Sequence, residues 1–258
     1  MTTITCDTGI LFRFGDFKFG FCENETYVSS YSEKEAKRVK INDIPKTDGG
    51  KAEEAQRASL QITFDGHCSA CSYGDLRTRV NALKVALMNG KQNFYVDEER
   101  YIVAQLKAWS VKYPSLKRFA KFKASLLSDY PFWRSVKLNS DKRTPSDGTG
   151  FAIYNSGNAP AKVKVTIVSP VGGVSNDIEI TNETRGEAFR FNGDVVAGDS
   201  LIIDNRVDDD NEFVVTNDGV DANANFEGDY LVLSPGRNVI VFDGTVGLTT
   251  LEWRDTWT

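Results

Sequence analysis

At 258 residues, with 40% hydrophobic and 26% charged side chains, the chain has room for two modest domains or one large β domain, and its composition excludes disorder as the main state. No apolar run approaches the ~18 residues needed to span a bilayer. Residues 1–145 sum to +7 and residues 146–258 to −12, a contrast hidden in the net charge of −5. Such asymmetry predicts two units, and the basic half lacks the dense Lys/Arg block with interleaved aromatics that marks a simple nucleic-acid binder.

The opening Met1–Asp7 lacks the basic and apolar regions of a signal peptide. The expectation is synthesis in a cytoplasm, where thiols stay reduced and four cysteines do not form a disulfide framework. Phe12 and Phe14, then Phe17, Phe19 and Phe21, flank Gly15-Asp16 and predict two short strands around a tight turn. From Glu23 to Arg57 charged residues dominate, Ile44-Pro45 and Asp48-Gly-Gly50 break regularity, and only Val39, Ile41 and Ile44 form an apolar thread. The spacing predicts a long loop, of the kind that is functional or ordered by a partner, or else a mobile surface segment.

Leu60–Phe64 alternates as a strand, and Asp65-Gly66 with a cysteine-containing connection leads to a helix over about 75–89. Asp75 is its expected N-cap, Leu76, Val80, Leu83 and Leu87 form one apolar stripe, and Asn89-Gly90 ends it. Asn93–Val96 and Tyr101–Ala104 bracket Asp97–Arg100 as a hairpin. Trp109 and Val111 belong to a further strand, and Ala120, Phe122, Ala124 and Leu126 alternate in the next. The polar run Asn139–Gly150 reads as a domain boundary, which divides the chain into 1–140, a linker over 141–149, and 150–258.

Beyond the boundary no stretch reads as helix. Short strands recur at Phe151–Tyr154, Val163–Val168, Ile178–Ile180, Phe189–Phe191, Leu201–Ile203 and Phe213–Val215, separated by turns such as Asn192-Gly193 and Asp218-Gly219. That rhythm predicts a β-sandwich. The chain closes on two strands around Ser234-Pro-Gly-Arg-Asn238 and an alternating Thr249, Leu251, Trp253, so it ends inside a sheet.

Chemistry-bearing clusters are sparse. His67, the single histidine, sits in Gly66-His-Cys-Ser-Ala-Cys71. Cys68 and Cys71 supply half of a structural zinc site, and Cys6 and Cys22 are the remaining thiols; a loop with partly buried thiols is the alternative. Asp204, Asp208, Asp209, Asp210 and Glu212 gather carboxylates without the order of a calcium loop, so a solvated acidic loop is expected there. Trp133, Trp253 and Trp257 suit either a sugar-stacking platform or core packing. No phosphate-cradling glycine loop and no nucleophile elbow is present. The sequence therefore predicts no enzyme and requires no cofactor.

The order of parts resembles the distal tail protein (Dit) family of long, flexible-tailed bacteriophages across essentially the whole chain. The residues that carry the resemblance begin with Ile44-Pro and Asp48-Gly-Gly ahead of Leu60–Phe64, the Leu76/Leu83/Leu87 helix leading into Phe94-Tyr-Val-Asp97, and Asp129-Tyr-Pro-Phe-Trp133. They continue with Asn155-Ser-Gly-Asn158, Gly198–Asp204, Leu233-Ser-Pro-Gly-Arg-Asn238 and Trp253-Arg-Asp-Thr-Trp257. The Cys68/Cys71 pair departs from the pattern.

The resemblance implies a mainly β chain: an N-terminal tail-tube-like β-barrel or sandwich with one flanking helix, and a C-terminal galectin-like β-sandwich. It further implies a structural virion protein of the tail tip, forming a hexameric ring between the tail tube protein and the tail-associated hub or lysin protein and anchoring receptor-binding proteins. The expected location is the virion, and the host cytoplasm during assembly, with no membrane and no specific nucleic acid as partner. Residues 23–57 are the candidate arm reaching a neighbouring subunit, with Val39, Ile41, Ile44 and Pro45 as interface candidates. The alternative function is a carbohydrate-binding module that recognises host-surface sugars.

Overall fold

The computed structural model describes residues 12–20, 26–38, 41–43, 50–52, 56–114, 118–169, 175–176, 178–206, 213–244 and 247–258. Two compact units divide the chain, Met1–Trp133 and Arg134–Thr258. No helix among the described residues is long and apolar enough to cross a membrane.

The first unit contains β1 (Arg13–Phe14), β2 (Phe17–Lys18), β3 (Thr26–Arg38), β4 (Ile41–Asp43), β5 (Gly50–Ala52), β6 (Gln56–Ser69), α1 (Tyr73–Met88), β7 (Gln92–Tyr95), β8 (Arg100–Lys112) and β9 (Phe119–Ser128). β4 and β5 pair only with each other, and the rest form one antiparallel sheet in the order β2-β1-β7-β8-β9-β6-β3. The order ends on β2 and β3 with no closing ladder between them among the described residues, so the sheet is open and not a closed barrel.

Alternation along β6 explains why the sheet has one dry face. Leu60, Ile62, Phe64 and Cys68 are buried, while Gln61, Thr63, Asp65 and His67 lie half-exposed on the other side. α1 packs against β6, β8 and β9 and buries the predicted stripe of Leu76, Val80, Leu83 and Leu87. Its N-cap is Ser72, not Asp75. The Ser72 hydroxyl oxygen accepts from the Asp75 backbone N–H at 3.1 Å and donates to the Asp75 carboxylate at 2.7 Å, so cap and acid hold each other. Phe64 anchors the core, stacked on Phe94 at 5.7 Å and edge-on to Phe19 at 5.6 Å.

Three local readings change. Asp65-Gly66 does not open the connection to the helix, because β6 runs on to Ser69 and carries His67 and Cys68 within a strand. Gly66 sits where an added Cβ would lie 2.1 Å from the Tyr27 carbonyl oxygen and 2.4 Å from the Phe122 ring. That close approach, beside the register shift between Val28 and Ser30, requires glycine. Within residues 23–57, Thr26–Arg38 is not loop but the 13-residue strand β3. Its Ser, Glu and Lys content hides the pattern. Finally, the division falls at Trp133/Arg134, and Asn139–Arg143 and Thr149–Gly150 of the polar run are paired strand.

β10 (Trp133–Ser135) spans that division. Beyond it lie β11 (Asn139–Arg143), β12 (Thr149–Asn155), β13 (Ala161–Val168), β14 (Ile178–Asn182), β15 (Glu187–Phe191), β16 (Ser200–Asp204), β17 (Val214–Asn217), β18 (Val220–Asp221), β19 (Phe226–Gly228), β20 (Val232–Leu233), β21 (Gly236–Asp243), β22 (Leu248–Trp253) and β23 (Thr256–Trp257). One sheet runs β11-β22-β13-β16-β17-β18 and the other β12-β21-β14-β15-β19. β11 earns its place through residue-by-residue pairing, Asn139 opposite Trp253 to Arg143 opposite Thr249.

The core of this unit draws on both sheets: Val165, Ile167 and Leu251 from one, and Ile180, Phe191 and Phe242 from the other. It is a sandwich, as the strand rhythm predicts. Asp218 (φ 48°) and Gly219 (φ 76°) both take the left-handed conformation of the tight turn between β17 and β18.

Candidate functional site

The most distinctive construction in the first unit is the pair β3 and β6. β9 accompanies β6 only from Leu60 to Ser69, whereas β3 pairs with it back to Gln56. Residues Gln56–Ser59 therefore carry the hairpin past the end of β9 by about 13 Å at ~3.3 Å per residue. β3 is also the last strand of its sheet, and a long edge strand is a ready template for another chain. Of the interface candidates, Ile41 opens β4 opposite Ala52, and Val39, Ile44 and Pro45 lie outside the described residues.

The base of β3 is fixed to the core. Tyr31 packs against Phe94 at 6.4 Å and Phe12 at 5.7 Å, and its hydroxyl donates to the Glu33 carboxylate. The second Glu33 oxygen accepts from Trp133 Nε1 at 3.3 Å. Burial, and then the Glu33 carboxylate, push the Tyr31 phenol above its usual range, so the phenol stays a donor. A rigid base with a projecting tip suits a strand that engages something beyond its own unit.

The two zinc candidates sit in different surroundings. Cys68 is buried, with Sγ 3.5 Å from the Thr26 hydroxyl, and burial pushes its thiol up; Cys71 is exposed. A raised thiol is a poor thiolate ligand. Cys6 and Cys22 lie outside the described residues, among which no three potential ligands cluster. His67 stacks on Tyr27 at 4.9 Å, with Phe119 tilted against it at 5.0 Å. Burial, and then the Lys121 charge, lower its pKa.

In the acidic group, Asp204 is bound by Arg206 at 3.0 Å; Asp208, Asp209, Asp210 and Glu212 lie outside the described residues. Trp133 is 7% and Trp253 6% exposed, so each packs inside its own unit, and Trp257 is half-buried.

Sequence reasoning missed an amide clamp in the second unit. Asn182 Nδ2 donates to the Val232 carbonyl at 2.7 Å, Asn205 Nδ2 to Leu231 O at 3.0 Å, and Asn155 Nδ2 to Leu233 O at 3.4 Å. Asn238 closes the turn, its Oδ1 accepting from Ser234 N and its Nδ2 donating to Ser234 O, both at 2.8 Å. All four asparagines are buried. Asn155, Asn182 and Asn205 satisfy the carbonyls of Leu231–Leu233, a segment whose β20 pairs with β13 of one sheet while Asn182 belongs to the other. The available signal was positional: each asparagine stands in or just after a strand whose apolar alternation it interrupts.

With this geometry in hand, residues 156–257 match the family profile of the siphovirus-type tail component, C-terminal domain. Among solved structures, the Dit protein of phage SPP1, described as a paradigm of the hub adsorption apparatus in phages infecting Gram-positive bacteria, is similar at a TM-score of 0.67. It shares 13% identity, over 96% of this chain and 99% of that one. Two structures of the phage P2 baseplate in its activated conformation, with Ca and with Sr, reach TM-scores of 0.49 and 0.48 at 8% identity, each covering 92% of this chain and 93% of that one. No curated protein sequence matches.

Proposed function

We propose, from the match of residues 156–257 to the siphovirus-type tail component profile, that the chain is a non-enzymatic structural protein of a phage tail tip. The carrying observation is that the family match covers the second unit while the SPP1 Dit fold extends over 96% of the chain. In this reading six copies form a ring that joins the tail tube protein to the tail-associated hub or lysin protein and anchors receptor-binding proteins. The first unit builds the ring, its projecting β3–β6 hairpin engages a neighbour, and residues 23–57 as a whole act as the arm.

The construction supports this reading because the sandwich is closed around its own core, whereas the first unit ends in a long edge strand. The carbohydrate alternative loses its platform, since two of its three tryptophans are buried. Light scattering on the full chain, alone and mixed with the tail tube protein, tests the proposal. The expected result is a discrete oligomer that weakens with salt, given the opposed charges of the two halves. A strictly monomeric chain at all concentrations, alone and in the mixture, overturns it.

A further inference from the structure

One end of the sandwich carries an open cleft of about 330 Å³ lined by Asn176, Asn192, Gly193 and Asp194. Strand register brings these residues together. Ile178 stands opposite Phe191, and Phe191 opposite Phe226, so Asn176, Asn192 and Asn225 all lie just past the same end of β14, β15 and β19. Backbone bonds then tie the loops. Ser175 and Val195 exchange both of theirs, at 3.0 and 2.8 Å, and Asn192 N donates to Asn225 O at 2.8 Å. Asn217 Nδ2 holds the Asp194 carbonyl at 2.9 Å. Gly193 is required by space, since an added Cβ would lie 2.8 Å from the Phe191 ring and 3.1 Å from Asn225 Nδ2.

Unlike the buried asparagines of the same unit, these polar side chains are unused. Those of Asn176, Asn192, Asp194 and Asn225 are exposed and make no hydrogen bond or ion pair among the described residues. A primary amide sets an acceptor oxygen beside an NH2 donor, and a carboxylate offers two acceptors. That set matches neighbouring hydroxyls, each of which donates and accepts at once. Other ligands fit worse. Asp194 is the one charge among the described lining residues, with no Lys or Arg beside it, so phosphates and carboxylates are repelled. No aliphatic or aromatic side chain lines the cleft, and the Phe191 ring next to Gly193 is fully buried, so an apolar ligand finds no contact. Calcium takes about six to eight oxygens and is tuned by ligand charge, whereas the described residues gather no three acidic, histidine or cysteine side chains. An extended peptide uses a strand edge or an apolar pocket, and loops bound this cleft.

We infer that this cleft is a subsite for a neutral sugar, seating one ring by its hydroxyls while the rest of a glycan continues into solvent. Its volume lies at the small end of ligand sites, which run from roughly 300 to 1,000 Å³. Asp194 accepts from sugar O–H groups, and the amides of Asn176, Asn192 and Asn225 each accept from one hydroxyl and donate to the next. With no aromatic ring to stack on, these hydrogen bonds replace bonds to water, and binding is weak, in the roughly millimolar range. None of Trp133, Trp253 and Trp257 is among the described lining residues, so the site is distinct from the platform that burial removes. The inference goes beyond the tail-tip reading and does not rest on it.

The experiment is saturation-transfer NMR on the full chain with free glucose, galactose, rhamnose and N-acetylglucosamine, each at about 10 mM to exceed a millimolar constant. Asn176→Ala/Asn192→Ala and Asp194→Ala are compared with a control, Trp257→Ala. The wild type is expected to transfer saturation to the ring protons of at least one sugar. Each cleft variant should lose about fivefold in affinity per hydrogen-bonding group removed, and the control should lose none. Because the substituted cleft side chains are exposed and unbonded, both cleft variants should fold and self-associate as the wild type does. As a second readout, the side-chain amide resonances of Asn176 and Asn192, assigned by their absence from the double variant, should move on addition of sugar. Each of three results overturns the inference: no transfer to any of the four sugars, equal loss in the cleft and control variants, or amide shifts produced by calcium chloride or sodium phosphate alone and not by sugar. The last would assign the cleft to an ion.

Discussion

In the second unit, buried polar groups are amides turned inward: Asn155, Asn182, Asn205 and Asn238 each spend their hydrogen bonds on backbone groups of the same sandwich. In the first unit the polar side chains of the sheet turn outward, setting Ser, Thr, Gln and Lys on one face while α1 and the phenylalanines dry the other. The first arrangement completes itself, since these amides find their partners inside the same unit of about 125 residues. The second leaves a wet face and a strand edge. That difference teaches where to look for partners: a closed sandwich offers loops, whereas an open sheet offers backbone and charge.

The comparison can be tested by degrading each unit in turn. Phe64→Ala and Phe242→Ala each remove a fully buried ring, and each should cost about 3–5 kcal/mol of unfolding free energy in urea titration. A cost below 1 kcal/mol at either site would show that its core relaxes more than close packing permits. Asn238→Ala should cost about 1–3 kcal/mol, because it leaves buried backbone groups of Ser234 without their partner. If it behaves like a surface substitution, the amide clamp is not what holds the turn. Ser72→Ala, which removes the α1 cap, should cost ~1 kcal/mol, with a matching loss of helical ellipticity on heating.

The smallest effect belongs to His67. Burial and Lys121 place its folded pKa below the ordinary 6.5, so below 6.5 the unfolded chain takes up the proton more readily than the folded one. Its contribution is present above 6.5 and is lost as pH falls through the folded value. His67→Phe, which keeps the stack with Tyr27 and Phe119, should flatten the fall in the urea midpoint between about pH 7 and 5.5. An unchanged slope would mean that the ring is as solvated folded as unfolded.

The sequence by itself determined what periodicity can carry. The stripe of α1, the alternation of β9, β13 and β22, and the turns at Asp97, Asp218-Gly219 and Pro235-Gly236 are local, and each lies within a few residues of its structural outcome. The mainly β class and the lack of a helical second half follow from these. β3 and β11 were illegible because they are polar strands whose order comes from partners, β6 and β22, far along the chain. Gly66 looked like the end of its strand because only the approach of Tyr27 and Phe122 reveals why it is glycine.

Cys68 and Cys71 looked like half of a metal site, yet Cys68 lies on the buried side of β6 while Cys71 lies past the strand's end and is exposed. The amide-lined cleft was likewise invisible, since Asn176, Asn192 and Asn225 are scattered in sequence and meet only because Ile178, Phe191 and Phe226 stand level across β14, β15 and β19. Local order is written in residue spacing. Which polar side chains share a surface is decided by strand register, and register is a property of the folded sheet.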